Sequence, residues 1–216
     1  MYDERHIIVM RYPSDHKTAT RRRILQAASE AFREKGVAAT GVDEVMRRAG
    51  LTHGGFYAHF RSKNELVAEA CATGFAMGQE NLARIAALPT RRDRVRVLVS
   101  SYLSVKHRDN RAGGCLVASL GGEAARPGGR VTSGYAEALQ QHRVRIAEAL
   151  RLHDDRAENE RLATALLSLL VGALIIARSL SDEAASRQVL VQTRETALQL
   201  FAPLSPSAPS APAIFP

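Results

Sequence analysis

The chain has 216 residues and 23.5 kDa, with 45% hydrophobic and 24% charged residues, enough apolar content for one large domain or for a small domain joined to a larger one. Its net charge of +8 and pI near 10.1 favour a polyanionic partner, and residues 1–66 hold half of that excess, 12 Lys+Arg against 8 Asp+Glu. Two cysteines, Cys71 and Cys115, exclude a disulfide framework and suit a reducing cytoplasm, and the four-residue apolar run in "MYDERHIIVM" is too short for a signal-peptide core.

Residues 1–17 read as an irregular, flexible extension, with Pro13 and a second methionine, Met10. A first helix is predicted over about residues 20–35: Ile24, Ala28, Ala31 and Phe32 share one face, Lys35 lies in the last turn and Gly36 suits a left-handed cap. "TGVD" (40–43) announces a second helix, with Thr40 as N-cap, Asp43 at N3, and Val42, Val45, Met46 and Ala49 at helical spacing before Gly50. Thr52 can cap a third, with Leu51 and Phe56 as a hydrophobic staple, and "SKNE" (62–65) is a capping box for a fourth. A short helix, a glycine turn and a second short helix within 40–61 are the layout of a helix-turn-helix.

The segment "LTHGGFYAHF" (51–60) is then the part that enters the major groove. Gly54 and Gly55 each cost about 1 kcal/mol relative to alanine in a helix, a loss that makes sense where backbone must approach DNA closely. Thr52 and His53 stand at the leading end, where phosphate and base edges lie. Tyr57 and His59 can donate to phosphates, while Phe56 and Phe60 anchor the helix inward. Lys63 and Thr40, each at a helix start, suit an anion, and Arg21, Arg22 and Arg23 add a basic cluster.

Longer helices are predicted near 63–87, 92–107, 114–123, 131–152, 159–180 and 183–201. The apolar stretch 165–177 falls short of the roughly 20 residues of a membrane span and reads as a helix buried in a core or subunit interface. The Pro/Ser/Ala-rich tail 202–216 reads as disordered.

Residues 18–70, ending in "GLTHGGFYAHFRSKNEL", resemble the DNA-binding domain of TetR/AcrR-type transcriptional regulators. That resemblance implies an all-α protein: an N-terminal three-helix domain with a helix-turn-helix (18–66) and a C-terminal helical ligand-binding and dimerisation domain (67–201). It further implies a homodimer whose helices near 159–180 and 183–201 form a four-helix interface, a double-stranded palindromic operator, and a small-molecule inducer held by the central helices. The family's DNA-contact positions fall on Thr40, Thr52, His53, Gly54, Tyr57, His59 and Lys63. Met46 departs from the small alanine common in the family and implies different packing between the first two helices.

"RAGGCLVASLGGE" (111–123) places Cys115 at the start of a short helix, where free N–H groups and the helix dipole favour a thiolate. The stretch resembles the electrophile-sensing NemR-type branch of the same family. Cys115 is therefore a candidate thiol switch, with a small packed residue as the alternative; Cys71 is a weaker candidate. Tyr102, Tyr135 and Glu123 are candidate pocket residues, although helical spacing also suits ordinary core, and Glu123 could instead cap a helix end. No nucleophile–base set, phosphate loop or His/Cys metal spacing is present, so no enzyme activity, cofactor or metal is expected. Because the basic residues gather on the helix-turn-helix, no membrane partner is expected. The reading is a cytoplasmic, ligand-responsive repressor; the alternative is a helical carrier or enzyme on the same fold without an operator.

Overall fold

A computed structural model of the chain describes residues 14–126, 131 and 133–202, which are helical without a strand. In chain order the elements are α1 (Ser14–Lys35), α2 (Val42–Arg48), a 3-10 helix (His53–Ala58), α3 (Lys63–Met77), α4 (Gln79–Ala86), α5 (Arg91–Tyr102) and α6 (Val105–Asp109). They continue with α7 (Leu116–Ala124), α8 (Ser133–Leu150), α9 (Arg156–Ser179) and α10 (Glu183–Phe201). Of the expected tail 202–216, Ala202 is the C-cap of α10 and residues 203–216 lie outside the described residues, as do residues 1–13.

The predicted start of the first helix is corrected. Residues 14–17 belong to α1, since no glycine or proline interrupts 14–20. The other end follows the sequence. Gly36 takes φ 84° and its N–H donates to Phe32 O, as a left-handed cap requires. The end of α2 is a Schellman motif: Gly50 takes φ 69°, its N–H donates to Arg47 O, and Leu51 N–H donates to Met46 O. At Ser62 the predicted cap forms, with Oγ accepting from Glu65 N–H at 3.2 Å, but the return bond of the box shifts by one residue, Glu65 Oε2 accepting at 2.6 Å from Arg61 N–H instead of Ser62 N–H.

Two predicted long helices each break in two. Residues 63–87 part at Gly78, between α3 and α4. Residues 92–107 part at Leu103, where Ser104 Oγ accepts from His107 N–H and restarts the helix as α6. The third helix is a six-residue 3-10 helix, consistent with the backbone entropy of two glycines and with the short runs this geometry favours.

Two hydrophobic cores result. The first joins Ile24, Phe32, Val45, Met46, Phe56 and Phe60 to Cys71 and Phe75 of α3, Leu116 and Leu120 of α7, and Tyr135 of α8. The expected boundary between 66 and 67 therefore falls inside α3 and inside one continuous core. The second core packs α4, α5 and the end of α8 against α9 and α10 through Leu82, Val99, Leu150, Leu166 and Leu170. Helix α9 has the length and apolarity of a bilayer span, yet Ala163, Leu166, Leu170 and Ala173 lie buried in this core.

Candidate nucleic-acid interface and ligand cavity

The 3-10 helix is held by its aromatic side chains. Phe56 and Phe60 are buried and stacked at 5.7 Å between ring centroids, while Tyr57 points the other way and is 70% exposed. Thr52, His53 and Gly54 are exposed beside it. His53 Nδ1 meets Asp43 Oδ1 across the turn, an ion pair only when the imidazole is protonated. A Cβ on Gly54 would find no atom within 4 Å, and the residue does not occupy the left-handed region, so nothing inside the protein requires glycine there. Gly55 differs: a Cβ would stand 3.5 Å from Met46 Cε.

Thr40 is corrected as a DNA contact. It is 0% exposed and its hydroxyl donates to Gly36 O at 2.7 Å, while Gly41 occupies the N-cap of α2 without a side-chain bond. The hydroxyl binds back to the preceding turn because the tight α1–α2 loop brings those carbonyls nearer than its own helix N–H groups. Of the arginine cluster, Arg22 and Arg23 are exposed, but Arg21 turns inward. Its guanidinium donates to His59 O, reaches Glu69 Oε1 at 2.5 Å and lies 4.1 Å over the Phe60 ring. Lys63 Nζ donates to Val37 O at 2.8 Å, tying α3 to the α1–α2 turn. His59 is half-buried and its Nδ1 has no protein partner among the described residues; burial, then Lys17, Arg21 and His16, hold its pKa below the usual imidazole value.

A cavity of about 710 Å³ opens between α3–α9, within the range of small-molecule sites. Cys115 and Tyr102 line it, together with His107, His142 and Arg33, which the sequence reading missed. His107 Nδ1–H donates to Tyr102 O at 2.7 Å and Nε2 accepts from Cys115 N–H at 3.1 Å. That pair of bonds requires the neutral Nδ1–H tautomer, in keeping with burial and then Arg178 lowering the pKa against the opposing pull of Tyr102 O. The Tyr102 ring stands edge-on to His107 at 4.5 Å, and burial, followed by nearby Cys115, drives its phenol pKa well up. Cys115 is half-buried at the N-cap of α7, whereas Cys71 is buried in the first core and burial pushes its thiol up to about 12.

The other two pocket candidates are corrected. Glu123 lies away from the cavity and spans two domains: its Oε2 accepts from Val37 N–H and its Oε1 from Ala38 N–H, both at 2.9 Å. The α1–α2 turn presents two unpaired N–H groups there, which a carboxylate satisfies better than a ligand-facing position would. Tyr135 packs in the first core against Phe75 at 5.6 Å. Arg33 escaped notice because it follows Phe32 on a helix whose sequence pattern reads as apolar face and solvated face, and its burial depends on α3 and the loop before α7.

The architecture is that of a helix-turn-helix protein with a helical, cavity-bearing companion domain. A family model for bacterial regulatory proteins of the tetR family matches residues 24–70, and one for the tetracyclin repressor-like C-terminal domain matches residues 92–192. The chain belongs to the TetR family. It is 36% identical over 76 residues to the HTH-type transcriptional regulator TtgR of Pseudomonas putida, covering 35% of this chain and 36% of that protein. The chain spans only about a fifth to just over a third of the length of the curated relatives it matches. Solved structures share the fold over nearly their whole length. The reduced form of E. coli NemR has a TM-score of 0.67 at 19% identity, covering 83% of this chain and 95% of that one. A TetR transcriptional regulator from Chloroflexus aurantiacus has a TM-score of 0.69 at 21% identity, covering 86% and 98%.

Proposed function

We propose that the protein is a cytoplasmic transcriptional repressor that binds a palindromic operator as a homodimer and lets go when a small molecule fills the cavity or when Cys115 is modified. The observation that carries the reading is Gly54: a helix-weakening residue with no internal use, set between exposed His53 and exposed Tyr57. Close approach of an outside surface explains it. Thr52, His53, Gly54 and Tyr57 would face the major groove, with Arg22 and Arg23 gripping phosphate. Lys63 would act on phosphate only by sharing its ammonium with Val37 O.

The homodimer is supported by apolar side chains on α9 and α10 that no helix covers, among them Ile175, Ile176, Val191 and Leu200. Switching from nearly all bound to nearly all free requires an inducer preference of about 10⁴-fold between dimer shapes. An α,β-unsaturated electrophile would act instead by forming an S–C bond at Cys115 Sγ, the thiol proton passing to the α-carbon.

Fluorescence anisotropy against the gene's own upstream DNA tests this. Affinity should fall about 10³-fold from about 50 to 200 mM salt if about six phosphates are neutralised. Tyr57→Phe should weaken binding roughly 10-fold, and the electrophile should release wild type but not Cys115→Ser. Equal affinity for random DNA of the same length would sink the operator reading.

A further inference from the structure

The cavity carries a charge pattern that operator release alone does not account for. Among the described residues lining it are three cations, Arg33, Arg84 and Lys106, and no Asp or Glu. Arg84 and Lys106 are exposed, but Arg33 is 4% exposed. Its Nε donates to Ala112 O and its Nη2 lies 3.8 Å from Met77 Sδ, and among the described residues no carboxylate oxygen comes within 4 Å of it. Glu30, one turn back on α1, is its main favourable charge but makes no contact with it, and a buried guanidinium without a contacting anion is costly to hold. The sequence nevertheless makes room for it: a Cβ on Gly74 would stand 3.1 Å from Arg33 Nη1 and 2.7 Å from Ser29 Oγ. Among the described residues, two further polar atoms in this region are buried without a protein partner, Ser29 Oγ and His142 Nδ1, while the Tyr102 hydroxyl faces the Cys115 thiol. The rest of the wall is apolar, with Leu82, Ile85, Leu98, Ile146 and Leu170 among its side chains.

We infer that the cavity takes an amphipathic monoanion, an apolar body ending in one carboxylate, with that carboxylate paired to Arg33. The inference rests on the reading of the cavity as the inducer site and names the chemistry of the inducer. An anion supplies what the burial of Arg33 lacks, and the cations at Arg84 and Lys106 favour its entry. Arg33 lies in the last turn of α1, four residues before Val37, whose N–H and carbonyl Glu123 and Lys63 clasp. The bond to Ala112 O uses Nε alone, so the terminal Nη1 and Nη2 donors remain to receive a carboxylate.

Calorimetry on the full chain with decanoate, decan-1-ol and decylammonium, one chain length in three charge states, tests the inference. Decanoate should bind about 10- to 100-fold more tightly than decanol, the range for a charge-assisted pair, and decylammonium most weakly. Arg33→Gln should erase the preference for decanoate over decanol while binding of decanol persists, and Arg84→Gln and Lys106→Gln should keep it. The wild-type series stands even if Arg33→Gln fails to fold. Equal affinity for decanoate and decanol, no binding of any of the three, or a preference that survives in Arg33→Gln would each overturn the inference. Operator titration on the same preparation separates the two readings. Intact operator binding without decanoate binding removes only the anion site, and decanoate binding without operator binding removes only the regulator.

Discussion

At the scale of single residues, Gly54 separates folding from function more sharply than any other position. Its backbone lies outside the left-handed region and a Cβ there meets no atom within 4 Å. Gly54→Ala should therefore leave the protein as stable as wild type or up to about 1 kcal/mol more stable, through the entropy of the unfolded chain. A methyl group at that point of close approach should weaken operator binding at the same time. Thermal melts and anisotropy on one preparation check both halves; a variant that is destabilised and still binds DNA normally would contradict the argument. Thr40 shows why single residues mislead when read from sequence. A threonine before Gly41 and Val42 looks like an N-cap, but cap or buried donor is decided by which carbonyls the loop folds over, here Gly36 and Ala31.

At the scale of elements, α7 ties the cavity domain to the α1–α2 turn. Its carboxylate Glu123 takes the two N–H groups of Val37 and Ala38, and Glu123 Oε2 stands 3.1 Å from where a Gly36 Cβ would be. Glu123→Gln keeps the shape but turns one acceptor into an NH₂ facing an N–H donor. The expected loss is about 1–3 kcal/mol, the penalty of leaving a donor unmet. The same variant should show a smaller change of operator affinity on adding inducer, because one of two links between α7 and the α1–α2 turn is gone. Denaturant titration and operator titrations with and without inducer measure the two effects; unchanged coupling would mean that the signal travels elsewhere. These elements were legible as helices because caps and apolar stripes are local: Gly36, Gly50 and the Ser62 cap stand where the sequence puts them. The breaks at Gly78 and Leu103 were not, since a glycine or a serine cap inside an apolar pattern interrupts a helix only when packing makes the bend worthwhile. The helix-turn-helix pattern was legible for the same local reason. The cavity was not, because its wall is assembled from α1 and from every helix between α3 and α9, and Arg33, His107 and Cys115 meet only in three dimensions.

At the scale of the whole molecule, one core runs from Ile24 and Phe60 through Cys71 to Leu120 and Tyr135, so the DNA-binding domain and the start of the companion domain stand or fall together. Three histidines sit in this connected structure with lowered pKa values: His59 at the helix-turn-helix, and His107 and His142 at the cavity, each chiefly through burial. The sign of the effect follows from linkage. Above the unfolded value of about 6.5 both states are neutral at these residues and stability does not vary with pH on their account. As pH falls below about 6.5 the unfolded chain takes up protons that the folded chain refuses, so stability drops until each folded pKa is reached and then levels off. His107 should contribute a distinct part, since protonating Nε2 turns the acceptor of Cys115 N–H into an opposing donor. Urea midpoints at about pH 7.5 and about pH 5.5, on either side of the imidazole value, should therefore fall with acid in wild type and fall less in His107→Gln, whose amide oxygen can accept the same N–H at either pH. A wild-type midpoint that rises on acidification would reverse the sign and show that the buried imidazoles gain a charge partner in the folded state; equal slopes in the two proteins would free His107 of any part in it.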